Sequence, residues 1–209
     1  SNMPQNTRQE ERQIWLTPKE MNQLILSAPS NRDKLIMQLG SQCGLRISET
    51  RTLRVDDLIE REVDDDLKYF ATIRNGKDTT GDGGHTREIW IPKDTWSTIR
   101  LVINEYNLQK QNYLVPSRNG GGLSDTGARN IVKKIGERAF ESNNNKRYQY
   151  VSSHDLRRYW AHQLLVEHGL NTRIVMSLGG WRSFNSLKPY LDKPTPQNIS
   201  NEMNKADWT

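Results

Sequence analysis

The sequence contains a single cysteine, Cys43, so no internal disulfide can form and no multi-cysteine zinc site can be assembled. Cys43 stands between Leu39 and Leu45 and reads as a buried thiol, because free cysteine behaves as a small hydrophobe. No apolar run approaches the roughly 18–20 residues that a membrane span requires. The N-terminus is polar and carries no signal-peptide pattern, which leads to the expectation of a cytoplasmic protein with no membrane partner. No cluster of carboxylates and histidines suggests a bound metal, and no internal repeat is present.

The chain has 209 residues, of which 33% are hydrophobic, and its mean hydropathy is −0.86. That length suits one domain with tails and is enough to bury a core. The formal net charge is +5. Residues 56–66 hold seven carboxylates and one arginine; outside them 29 Lys and Arg face 18 Asp and Glu. A basic surface of this kind favours a polyanion, and nucleic acid is the usual one.

Residues 1–13 lack periodicity and read as a disordered tail, with Ser1-Asn2 ahead of Met3 as the scar of a cleaved tag. Thr17-Pro18-Lys19-Glu20 is a capping box with proline at the first helical position; Leu24, Ile25 and Ala28 follow at helical spacing. A second helix is predicted over 31–43, stopped by Gly44, and a third over 47–54. The acidic run reads as a solvated turn. Tyr69, Ala71 and Ile73, then Ile89 and Ile91, alternate as in a β-hairpin, with a long glycine-rich loop over 75–86. Helices are predicted over 94–106, 124–140, 153–168, 171–178 and 183–190, with a polar link over 142–149. Residues 192–209 are polar and proline-interrupted. The fold class is mainly α with one small antiparallel sheet.

Four local patterns carry chemistry, and each has an ordinary reading when taken alone. His154 and Arg157 lie three apart at a helix start and share a face, where both could reach one anion; they could equally cap and pair. Arg46, in Gly44-Leu45-Arg46-Ile47-Ser48-Glu49, is wedged between apolar residues close to the core and needs either an internal carboxylate or a bound phosphate. Lys77 sits on the hairpin loop, either as a solvated charge or as a proton donor on a mobile arm. Trp181 follows two glycines, and Tyr190 lies nine residues beyond it; both could be structural.

Their order is more specific than any one of them. The strings GLRISE, HDLRR and GGW, with the trailing Tyr190, resemble the tyrosine recombinase (phage integrase) family over Trp15 to Asp192. The resemblance implies the DNA breaking–rejoining fold and a catalytic domain over 15–192, between a tail at 1–14 and a tail at 193–209 that docks on a partner protomer. It implies that Tyr190 attacks the scissile phosphate, forming a 3′-phosphotyrosyl link without metal, ATP or other cofactor. By the same resemblance Arg46 and Arg157 clamp the non-bridging oxygens, and Lys77 protonates the leaving 5′-oxygen. His154 bonds the phosphate and helps to accept the tyrosine proton. Glu49 lies behind these groups, orienting His154 or Arg46. Trp181 stands where most members carry a second histidine; indole can donate its N–H but cannot exchange a proton near neutral pH.

The sequence departs from the family pattern in its longer Lys77 loop, followed closely by His85 and Arg87, and in having only about 14 residues where a helical clamp domain would precede. The implied partner is double-stranded DNA, with a tetramer on DNA and a monomer in isolation. Arg129, Lys133, Lys134, Arg138, Lys146 and Arg147 are expected DNA contacts. Two alternatives remain open here: a type IB topoisomerase that relaxes DNA, and a binding-only regulator descended from a recombinase.

Overall fold

The computed structural model describes residues 13–74, 86–191 and 195–208. The helices follow their local signals. Helix α1 (Pro18–Leu26) opens on the Thr17–Glu20 capping box, and α2 (Asn31–Cys43) opens on Ser30, whose hydroxyl accepts from Asp33 N. Gly44 ends α2 at φ +73°, and a Cβ there would lie 2.5 Å from the Trp160 ring. Glycine is therefore required twice over, by the left-handed backbone and by the close approach. Short α3 (Ile47–Thr52) follows.

The acidic run differs from the expected turn. After a 3-10 turn at Val55–Asp57 it forms strand β1 (Leu58–Val63), which pairs antiparallel with β2 (Asp66–Ile73). Strand β2 in turn pairs with β3 (Arg87–Ile91). The turn proper is only Asp64-Asp65, both in the left-handed region, which aspartate tolerates better than most residues. Composition hid the strand: β1 is an edge whose carboxylates face water, and charge on an edge strand discourages pairing with other chains. Arg61 forms an ion pair across the sheet with Glu88 and lies over the Phe70 ring. The other face of the sheet buries Ala71, Ile73, Ile89 and Ile91.

Helices α4 (Lys93–Tyr106) and α5 (Asp125–Asn143) come next, and a 3-10 turn at Lys146–Tyr150 shortens the expected polar link. Helix α6 (Ser153–His162) widens into a π-helical turn over Gln163–Glu167. It is followed by α7 (Thr172–Gly179) and α8 (Phe184–Leu187). The expected 183–190 helix tightens at Lys188–Tyr190 into a 3-10 turn, at Pro189, which has no N–H to continue an α-helical ladder. The polar C-terminal stretch contains a helix that composition did not reveal: α9 (Pro196–Lys205), capped by Thr195 and Asn198.

Central α2 packs against α4 and α6. Among the described residues two hydrophobic clusters result. The larger unites α1, α2, the sheet, α4, α5 and the start of α6. The smaller consists of Trp160, Ala161, Val175, Trp181 and Leu187, with Tyr190 packed against it. Ile14, placed in the tail by the sequence, is buried in the larger cluster and donates its N–H to Asp155. No helix among the described residues is long and apolar enough to cross a membrane.

Candidate active site

Arg46 is the N-cap residue of α3, immediately beyond the Gly44 turn. Its backbone N–H donates to Glu49 Oε1 at 2.9 Å, and its Nη1 stands 3.5 Å from Glu49 Oε2. The side chain is not wedged into the core as its apolar neighbours suggested: Leu45 is buried, but the Arg46 side chain is 43% exposed. Glu49 is the buried member of the pair. Both of its oxygens are gripped by Arg87, with Nη1 to Oε2 at 2.5 Å and Nη2 to Oε1 at 2.9 Å. Burial pushes the Glu49 carboxyl up, but the Arg87 fork and the Arg46 backbone bond outweigh it and hold the carboxyl below its ordinary value. Among the described residues the bonds of Glu49 run to Arg46 and Arg87, not to His154.

Arg157 lies inside the molecule, 1% exposed. Its Nη1 donates to Gly44 O at 2.6 Å and its Nη2 to Gly179 O at 2.7 Å. The guanidinium lies 4.0 Å over the Trp181 ring and 5.8 Å from the centre of the Tyr190 ring. Trp181 meets Tyr190 edge-on at 5.2 Å and stacks on Trp160 at 6.0 Å. Burial pushes the Arg157 pKa down to about 10; repulsion from Arg46 and Arg87 adds to this, while Glu49 opposes it. The group stays charged at neutral pH, and its buried Nε–H has no partner among the described residues. Three guanidinium groups thus surround one carboxylate, an excess of positive charge that a bound anion would relieve.

The structure therefore brings Arg46, Glu49, Arg157, Trp181 and Tyr190 together. His154 is exposed in the first turn of α6, one turn before Arg157. Lys77 and His85 lie outside the described residues. Of the expected DNA contacts, Arg129, Lys133 and Lys134 are exposed on α5, and Lys146 is exposed just beyond it. Arg138 is also exposed but donates to Ser27 O. Arg147 is exposed too, with its Nε bonded to Glu20 and its Nη2 donating to Trp15 O at 2.5 Å.

Sequence reasoning missed the role of Arg87. The signal was present: residue 87 shares the inward parity of Ile89 and Ile91, and a cation at an inward strand position demands a partner. Among the described residues no group of three or more His, Cys, Asp or Glu could hold a metal ion.

A buried arginine beside a tyrosine ring, with a second arginine at a helix start, sets two cations near a phenol on a mostly helical frame. Residues 14–195 match the model of the phage integrase family, and the chain belongs to that family. It is 29% identical over 196 residues to tyrosine recombinase XerA of Pyrococcus furiosus, covering 92% of this chain and 61% of that protein. It is 27% identical over 169 residues to tyrosine recombinase XerC of Oceanobacillus iheyensis, covering 76% and 48%. The chain thus spans about three fifths of the length of its XerA relatives.

Among solved structures, XerA recombinase superposes with a TM-score of 0.72 at 17% identity, covering 92% of this chain and 65% of that one. The Tn1549 transposon integrase, in complex with a circular intermediate DNA, superposes at 0.66 and 17% identity, covering 94% and 67%. The fold is that of tyrosine recombinase catalytic domains.

Proposed function

We propose that this chain is the strand-cleaving part of a site-specific DNA recombinase, acting on double-stranded DNA in the cytoplasm. The observation that carries the reading is Arg157, a buried cation repelled by two other arginines and stacked against the rings of Trp181 and Tyr190. A phosphodiester supplies the missing anion. In this reading the Tyr190 oxygen attacks the phosphorus, the bond to the 5′-oxygen breaks, and a 3′-phosphotyrosyl ester forms. Phosphodiester energy is kept in that ester, so the reverse attack by a 5′-hydroxyl rejoins a strand without ATP.

The pentacoordinate transition state carries more negative charge than the ground state, which is what Arg46 and Arg157 would stabilise. His154, on the face of α6 that Arg157 shares, would bond the phosphate and help to take the tyrosine proton. Trp181 would donate from its indole, and Lys77 would protonate the leaving 5′-oxygen. Glu49 would act behind these groups, on Arg46. Arg129, Lys133, Lys134 and Lys146 would meet the DNA backbone; neutralising them should flatten the salt dependence of DNA affinity.

Strand exchange requires four protomers on two duplexes, with the free domain monomeric. Helix α9 exposes Ile199 and Met203, with Trp208 beyond it, and this apolar surface suits docking on a neighbouring protomer. An unchanged assembly mass on DNA after deletion of 193–209 would argue against that docking. The chemistry is tested with a nicked suicide duplex carrying the recombination site. Wild type should form an adduct that survives denaturation, and Tyr190→Phe should form none. An adduct that persists in Tyr190→Phe would overturn the assignment of the nucleophile.

A further inference from the structure

We propose that Arg87 is a positioning residue: by saturating the Glu49 carboxylate it keeps the Arg46 guanidinium free for the substrate anion. The proposal rests on the reading of Arg46 as a phosphate ligand and adds the residue that makes it available.

Arg87 opens β3 and is largely buried, its side chain 14% exposed. Its fork occupies both Glu49 oxygens, and its Nε donates to Leu178 O at 2.8 Å. That carbonyl belongs to the C-terminal turn of α7, where helix carbonyls carry partial negative charge. Gly180 closes this turn at φ +76°, and a Cβ there would lie 3.0 Å from Arg87 Nη1. One side chain therefore ties β3 to α3, which Arg46 caps, and to α7, which ends at Gly179 two residues before Trp181.

Glu49 has two guanidinium neighbours and satisfies them unequally. Its Oε2 lies 2.5 Å from Arg87 Nη1 but 3.5 Å from Arg46 Nη1. A paired fork with a carboxylate is stronger than one long contact, and a buried charge takes the strongest partner it can reach. With Arg87 in place, Arg46 remains at the limit of bonding and open to solvent. Without Arg87, a buried carboxylate would be left uncompensated, and the nearest cation able to answer it is Arg46. Drawn onto Glu49, Arg46 would be lost to the substrate.

The test compares wild type with Arg87→Met, Glu49→Gln and the double variant. Two readouts are used: single-turnover adduct formation at saturating protein, and the midpoint of stabilisation by inorganic sulfate. Arg87→Met should slow adduct formation on the order of 100-fold and weaken sulfate binding. Adding Glu49→Gln should recover about tenfold of the rate and restore sulfate binding, because a neutral amide no longer captures Arg46. A merely structural Arg87 gives a double variant no better than Arg87→Met, and that result would overturn the proposal.

Should Arg87→Met not fold, Arg87→Lys retains the charge but cannot fork. It should show a loss of about tenfold, also relieved by Glu49→Gln, and the absence of relief counts against the proposal. If wild type forms no Tyr190-dependent adduct while the sulfate series behaves as stated, the recombinase reading fails and the role of Arg87 stands.

Discussion

The two hydrophobic clusters hold different halves of the site. The larger cluster supports α3 and the sheet, and with them Arg46, Glu49 and Arg87. The smaller is built on two tryptophans, Val175, Ala161 and Leu187, and it carries Tyr190 on a 3-10 turn after a four-residue helix. Local stability follows the apolar area buried, so the half that holds the tyrosine should open at lower free energy than the half that holds the arginines. Helix α6 runs from one to the other, with Leu156 in the first and Trp160 in the second. Arg157 joins them directly, bonded to Gly44 O on one side and Gly179 O on the other.

Removing the joint should have the largest effect. Arg157→Ala should lower the cleavage rate by roughly 100- to 1,000-fold. It should also leave two buried carbonyls unpaired, at about 1–3 kcal/mol each, with faster amide exchange across α7 and α8. Unchanged exchange there would show that Arg157 does not couple the two halves.

Truncations of the two cores come next. Leu39→Ala and Leu187→Ala should each cost about 2–5 kcal/mol. The first should lower the main melting transition, and the second should mainly speed exchange over 172–191. Equal falls in melting temperature would mean that the clusters are one cooperative unit.

Acid titration of stability sharpens the comparison at a smaller scale. The Glu49 carboxyl is held below its ordinary 4.5, so the unfolded chain binds more protons in that window. The stability it contributes is present above pH 4.5 and is lost as pH falls through its folded value. Asp155, pushed above its ordinary 3.8 chiefly by burial, has the opposite sign, since its contribution declines as pH rises through that window. Chemical denaturation between pH 3 and 6 should therefore show a shallower acid loss in Glu49→Gln and a steeper one in Asp155→Asn. The smallest effect belongs to Thr195→Ala, which should cost about 1 kcal/mol of α9 stability, visible as local exchange and absent from both cores.

Sequence alone determined what is local. The Thr17–Glu20 box, the halt of α2 at Gly44 and the three-residue spacing of His154 and Arg157 each depend on neighbours within a turn or two of chain. The order of the GLRISE, HDLRR and GGW strings was equally legible and marked the family. Where composition opposed periodicity, composition misled: the carboxylates of 56–66 concealed an edge strand, and the polar residues after 192 concealed α9.

Tertiary structure alone decided the distant partners of several charged side chains. Arg87 reaches Glu49 across 38 positions, Arg157 reaches Gly44 across 113, and Arg147 reaches Glu20 at the surface across 127. The reason is physical. A guanidinium takes whichever acceptor the fold desolvates beside it, and that choice depends on distance and burial in three dimensions, which no pattern along the chain encodes.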